Sequence, residues 1–404
     1  MKVLALFVQT PAGRLVTVVL VACAGLLLAG AGGAPDVATG SWYMWAVGAL
    51  LAVGLYGSAS GIPREAVRDL RVVVEAVTVG VLLKTLLIAA VMYAFSGLGP
   101  AAILLGVAVA QIDPLSVAAL TGRSQMSGRA KALLSAWASF DDPVTALLTV
   151  YLIGFAAGGT GPAGGLSGYA TGLALNAAFA AVVFGLWALA RSYVPDRPSA
   201  DPGRPPAPPR WFSVAAGLVL LGLIAVAATW FLMLGIALIG LFYRPGIAWL
   251  AEQITQVAFY AATFVLGMLL IGGVDLGPGL LLGGAAFAAQ IAAGLLIARR
   301  LPRADRVYLA LGQQNGITAV ILALTLQPYL PYAVSIVAPA ILTVNLLHLV
   351  SNALWERRGR SPVPAPVPAP VPASVPAPVS APVPVRVPVR TPAGFLRPMT
   401  VPKD

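Results

Sequence analysis

Apolar runs about as long as a bilayer is thick alternate with short polar breaks along most of this chain. The clear apolar segments fall at 15–32, 41–60, 72–97, 99–121, 132–158, 167–190, 211–243, 249–272, 278–298, 307–328 and 333–354. Runs of roughly 20 apolar residues suffice to span the hydrocarbon core as helices. The predicted fold is therefore all-α and polytopic. The breaks are of two kinds. Those at 63–71, 123–131, 191–210 and 299–306 carry several arginines or lysines, whereas 33–40, 155–166, 273–277 and 329–332 carry none. Basic loops mark the cytoplasmic side, so the two kinds belong on opposite faces. A single crossing by 211–243 would put 299–306 outside, so that run is expected to cross twice. The count becomes about twelve spans, with both termini cytoplasmic in the cell membrane.

At the start, Arg14 followed by apolar 15–29 and Ala-Gly-Ala-Gly-Gly-Ala has the outline of a signal peptide. A retained first helix is the expectation. After Trp355 the composition changes to a proline-alternating, low-complexity stretch. That density of proline forbids helix and sheet and predicts an extended polyproline-like tail. The domain division is thus 1–356, transmembrane, and 357–404, a disordered cytoplasmic tail. Docking of that tail through Arg386, Arg390 and Arg397 is the alternative to an inert appendage.

Composition agrees with a membrane setting: 59% of residues are hydrophobic and 10% charged, against roughly 25% charged in soluble domains. The formal charge of +11 lies in loops and tail, which excludes nucleic acid as the partner and leaves the lipid bilayer. One cysteine, Cys23, excludes an intrachain disulfide, and one histidine, His348, excludes a His-built metal centre. No cofactor is called for.

Few ionisable residues lie deep in the runs: Glu75, Lys84, Asp113, Asp141 and Asp142. A charge in hydrocarbon is costly, so such groups are functional candidates. Asp113 precedes Pro114, and Asp141-Asp142 precedes Pro143. Proline biases its predecessor away from helix and donates no N–H, so each carboxylate should lie beside a weakened helix. At 100° per residue, Asp142 shares a face with Ser139 and Ser135, while Asp141 turns toward Trp137 and Thr145. Alkali cations take hard oxygen ligands. Asp142, Asp113, Ser139 and carbonyls near Gln111 and Ile112 could supply them. The bland alternative is that these acids only cap broken helix ends. Another polar cluster, Gln313-Gln314-Asn315-Gly316, interrupts 307–328. The Asp113 run is the middle of three consecutive runs, and so is the 307–328 run, in triplets that start on opposite sides. Interrupted helices at matching positions of inverted halves point to a transporter site at midplane.

Gln111-Ile112-Asp113-Pro114-Leu115-Ser116-Val117 resembles the first aspartate motif of the monovalent cation/proton antiporters. Ser139-Phe140-Asp141-Asp142-Pro143 is similar to that family's paired-acid motif on the next helix. Softer likeness runs through 55–71, through 256–270 and through 311–324. The resemblance implies that Asp142 exchanges cation for proton and that Asp113 sits where the two broken helices cross. Asp141 would match the extra acid of the electrogenic branch. It implies a homodimer with a monovalent cation, sodium first, and protons as substrates. Departures matter. Ile112 replaces a threonine. Trp137 and Asn315 stand where the electroneutral branch keeps a glutamate–arginine pair, so both halves of that pair are missing together. Gln290 stands where the electrogenic branch has a lysine. Lys84, on the inverted-repeat counterpart of that span, either neutralises Asp141 or snorkels to a crevice. With no base at the position of Gln290, one-for-one exchange is the expectation. The rival readings are a channel or exporter of this architecture and an organic-anion symporter. An intramembrane aspartyl protease is the rival from another class, and Ser-Phe-Asp-Asp lacks the Gly-x-Gly-Asp setting it would need.

Overall fold

The computed structural model describes residues 11–32, 37–61, 74, 76–124, 126–156, 165–193, 210–244, 248–312, 314 and 316–359. Glu75, Gln313, Asn315 and the proline-rich tail lie outside the described residues, as does the side chain of Ser139. Every regular element among the described residues is helical. The helices are α1 (Pro11–Gly32), α2 (Ser41–Ser60), a π-helix (Ala76–Leu83) running into α3 (Lys84–Phe95), α4 (Ala101–Ala108), α5 (Pro114–Arg123), α6 (Gly128–Ala156) and α7 (Gly165–Tyr193). They continue with α8 (Arg210–Trp230), α9 (Met233–Phe242), α10 (Ala248–Leu269), α11 (Leu276–Ile297), α12 (Arg303–Ala310), α13 (Ile317–Leu326) and α14 (Ala333–Gly359).

Among the described residues, seven helices are long and apolar enough to cross a membrane: Ala12–Gly32, Trp42–Ser60, Thr78–Phe95, Ala170–Ser192, Gln253–Gly272, Leu276–Arg300 and Ala333–Trp355. The shortfall from about twelve falls on segments built differently. Two are broken (α4/α5 and α12/α13), α6 carries Asp141 and Asp142, and 211–243 is split in two. That split occurs at Phe231, whose φ of 55° is in the left-handed region, costly for a bulky residue. Helix α9, only ten residues long, then runs back along α8. Tyr243 just beyond its end donates from its hydroxyl to Ala216 O at 3.0 Å, near the start of α8. Helix α2 reports the same reversal. Its Gly48 lies against Ala228 and Met233 at the turn, and its Tyr56 hydroxyl donates to Tyr243 O at 2.8 Å. The chain therefore returns to the end of the bundle from which α8 set out.

Among the described residues, most buried apolar side chains gather in two clusters. The larger joins α2, α3, α4, α6, α8, α9, α10, α11, α13 and α14 around Leu51, Leu105, Ile236 and Ile321. A smaller one gathers Ile112, Val117, Leu134, Trp137, Ala293 and Leu309 from α5, α6, α11, α12 and the first break. Where two helices are expected to weaken at Asp-Pro, only one does. The chain unwinds at Asp113, whereas α6 continues through Pro143. Pro143 removes one ladder donor, and Thr145 Oγ1 donates to the carbonyls of Asp141 and Asp142 at 2.7 and 3.1 Å just there.

Candidate functional site

Helix α4 ends at Ala108 and α5 begins at Pro114; α12 ends at Ala310 and α13 begins at Ile317. The unwound stretches between them meet, and Ile112 and Gln314 form an antiparallel bridge. Two interrupted segments thus touch at their interruptions. Asp113 caps α5: its Oδ2 accepts from Ser116 N at 3.2 Å and from Ser116 Oγ. Pro114 fits the first helical position because that N–H would be unpaired anyway. The other oxygen of Asp113 presses on the second break, where a Cβ added to Gly316 would lie 2.6 Å from Oδ1. Only a residue without a side chain lets the carboxylate approach that closely.

Helix α6 passes beside this junction with its two acids in different settings. Asp141 is an ion pair with Lys84 at 2.7 Å, both side chains 0% exposed. Its Oδ2 also accepts from the freed Ile112 N–H at 2.9 Å. Lys84 Nζ lies 5.2 Å from the Trp137 ring centroid, a cation–π distance, and donates to Gln290 Oε1 at 3.3 Å. Gln290 Nε2 in turn donates to Leu309 O at 3.2 Å. Lysine therefore reaches no crevice. The π-helix before Lys84 sets Gly80 directly against the Trp137 indole, where a Cβ would collide with Nε1. Such helices recur at functional sites.

Asp142, 2% exposed, has hydroxyl neighbours. Ser58 Oγ, from α2, donates to its Oδ2 at 2.7 Å. Thr318, one residue into α13, is buried beside the same carboxyl and interacts with it. On the far side of the junction, α14 reaches the second break with residues one turn apart. His348 Nε2 lies 3.3 Å from Gln314 Oε1. Its ring meets Phe287 edge-on at 4.9 Å. Asn352 Nδ2 donates to Leu311 O at 3.3 Å. Around the crossing, Gln111 Oε1, Asp141 Oδ1, Gln314 Nε2 and His348 Nδ1 are buried polar atoms without a hydrogen bond. Native structures leave few such atoms, and a cluster of them is where a small polar substrate would be accommodated.

Of the sequence candidates, Asp113, Asp141, Asp142, Gln111, Ile112, Pro114, Gln314, Gly316, Lys84 and Gln290 converge on this junction. Asp113 carries the capping duty that the bland alternative assigned to it. Sequence reasoning missed Ser58, Thr318 and Asn352, and used His348 only to exclude a metal centre. Ser58 is a serine among glycine and alanine near the end of an apolar run. No spacing distinguishes it from a helix-packing residue.

Neither a family model nor a curated protein matches the chain. Among solved structures, the sodium proton antiporter MjNhaP1 from Methanocaldococcus jannaschii, at pH 8, is similar with a TM-score of 0.56 at 18% identity. That match covers 85% of this chain and 98% of the antiporter. An electron-microscopy map of the same antiporter gives a TM-score of 0.45, also at 18% identity, over 77% of this chain and 81% of that one. Together with the seven membrane-length helices, the first likeness establishes an integral membrane protein with the fold of a sodium proton antiporter.

Proposed function

We propose that the chain is a secondary antiporter, not an enzyme, exchanging a monovalent cation, sodium first, for protons at Asp142. The observation that carries this reading is the contrast between adjacent acids. Asp141 has Lys84 as countercharge, whereas Asp142 has a serine hydroxyl. A buried carboxylate needs a positive partner or a proton. For Asp141 the partner is built into the protein. For Asp142 it is either a proton or a cation, and one carboxylate cannot hold both. That exclusion couples the two fluxes. With Asp141 held by Lys84 throughout, only Asp142 changes occupancy, and one proton moves for each cation.

The bridged breaks and the return of α9 to the start of α8 support twelve crossings in two inverted triplets, with the site near midplane. The basic loops put both termini in the cytoplasm. The transporting unit is 1–356, and 357–404 is an appended tail. The fold of a sodium proton antiporter fits this reading. Fluorescence dequenching in everted vesicles carrying a pH gradient tests it, with sodium, potassium and lithium added in turn. Cation-evoked proton movement that Asp142→Asn abolishes is expected. Exchange undiminished in a well-expressed Asp142→Asn protein would refute the assignment.

A further inference from the structure

The Asp142 carboxyl is approached from two helices that belong to neither α6 nor its partner in the ion pair. Ser58 comes from α2, two residues before its end. Helix α2 packs most on α9 and α8, equally on α10 and α13, and least on α6. Thr318 comes from the first turn of α13, just past the second break. Ser58 is half-buried while Asp142 and Thr318 are buried, so Ser58 lies on the side from which Asp142 can be reached. Each hydroxyl has one donor proton and two acceptor lone pairs. Ser58 spends its proton on Asp142 Oδ2 at 2.7 Å, which leaves its lone pairs facing the same space. Thr318 Oγ1 is buried beside the same carboxyl, with lone pairs to offer a cation.

We infer that Ser58 and Thr318 are the neutral oxygens that set which monovalent cation competes with the proton at Asp142, an inference that rests on the antiport reading above. The cation sheds water to reach a carboxylate, and oxygen ligands must replace what is lost. A smaller alkali ion holds its water more tightly, so it depends more on the number of replacing oxygens. The proton needs neither hydroxyl as a ligand. Removing one should therefore weaken cation binding, and sodium or lithium more than potassium, while protonation of Asp142 survives. The selecting oxygens sit on helices other than α6, and α2 packs least on α6, so a displacement of α2 against α6 would take one ligand away and release the ion.

The test is cation-driven proton movement in proteoliposomes of the full chain, measured for wild type, Ser58→Ala, Ser58→Thr and Thr318→Val across sodium, lithium and potassium concentrations. Losing a hydrogen bond or ligand at a charged group corresponds to roughly tenfold or more in affinity. We expect Ser58→Ala to raise the half-saturating sodium concentration about tenfold, with a smaller change for potassium. Ser58→Thr should restore the wild-type value. Thr318→Val should act in the same direction and serves if Ser58→Ala does not fold. Half-saturation and ion order unmoved in the folded alanine and valine variants would overturn the inference alone. So would equal losses for all three cations, which mark a packing defect. A wild-type protein that moves no protons with any cation would end the antiport reading, and this inference with it.

Discussion

The two broken segments solve the same backbone problem with opposite chemistry. At the first break, the donors freed by unwinding go to carboxylates: Ile112 N–H to Asp141, and Ser116 N–H to Asp113. At the second, the freed carbonyls go to neutral amides: Leu309 O to Gln290, and Leu311 O to Asn352. Both solutions satisfy buried backbone groups, which must be paired. Only the first brings net charge into the apolar interior. The contrast separates scaffold from chemistry: the second break holds its shape without charge, while the first is built from groups that a cation or a lysine must balance.

The largest effect that can break this comparison is removal of that balance. Lys84→Ala leaves Asp141 buried without a countercharge, a loss of about 3–5 kcal/mol for a broken buried pair. A marked fall in the thermal midpoint in detergent is expected. Replacing both partners in a Lys84→Met, Asp141→Asn protein should recover most of it, since an apolar or neutral substitute for a buried pair is often tolerated. No recovery would mean that Lys84 contributes through Trp137 and Gln290 rather than through Asp141. If Asp141 instead changes its charge during transport, solid-supported-membrane recordings will show a sustained current that grows with voltage. The account expects none.

Next in size is the contact between the breaks. Gly316→Ala places a methyl 2.6 Å from Asp113 Oδ1, so the cap on α5 or the bridge must shift, at about 1–3 kcal/mol. Reduced transport with reduced thermal stability is the expected pair of readouts, and wild-type behaviour would show that the breaks are not held in contact. At the neutral break, Asn352→Leu strands Leu311 O for about 1 kcal/mol. Stability should fall slightly while cation half-saturation stays put. A large shift in half-saturation would extend the chemistry to the second break. Smallest in energy is the orientation of the two breaks. On a Cys23→Ser background, cysteines at Ser60 or Ser127 should label from the cytoplasm, and those at Ser167 or Asp275 from outside. Reversal at Asp275 alone would mean that 211–243 crosses once.

Much of the scaffold was legible before any coordinates. Apolar run length gave the helices, and Asp113-Pro114 with Gly316 marked both breaks, because proline and glycine act on their own backbone. The ion pair was half legible: Lys84 and Asp141 were visible as stray charges, but the register that brings them together depends on a π-helix with no sequence signature. Ser58, Thr318 and Asn352 were illegible for another reason. Serine, threonine and asparagine in apolar helices commonly bond their own backbone, as Thr145 and Thr149 do, so only the fold distinguishes a hydroxyl facing Asp142 from one that bonds its own helix.

The central claim is that one carboxyl holds a proton or a cation but never both, and proton release on cation binding measures it most directly. Purified protein titrated with sodium at a pH low enough for the carboxyl to start protonated, by calorimetry in buffers of different ionisation enthalpy, should release about one proton per cation bound. Asp142→Asn should abolish both binding and release. Sodium binding without proton release, or release that persists in Asp142→Asn, would contradict the account.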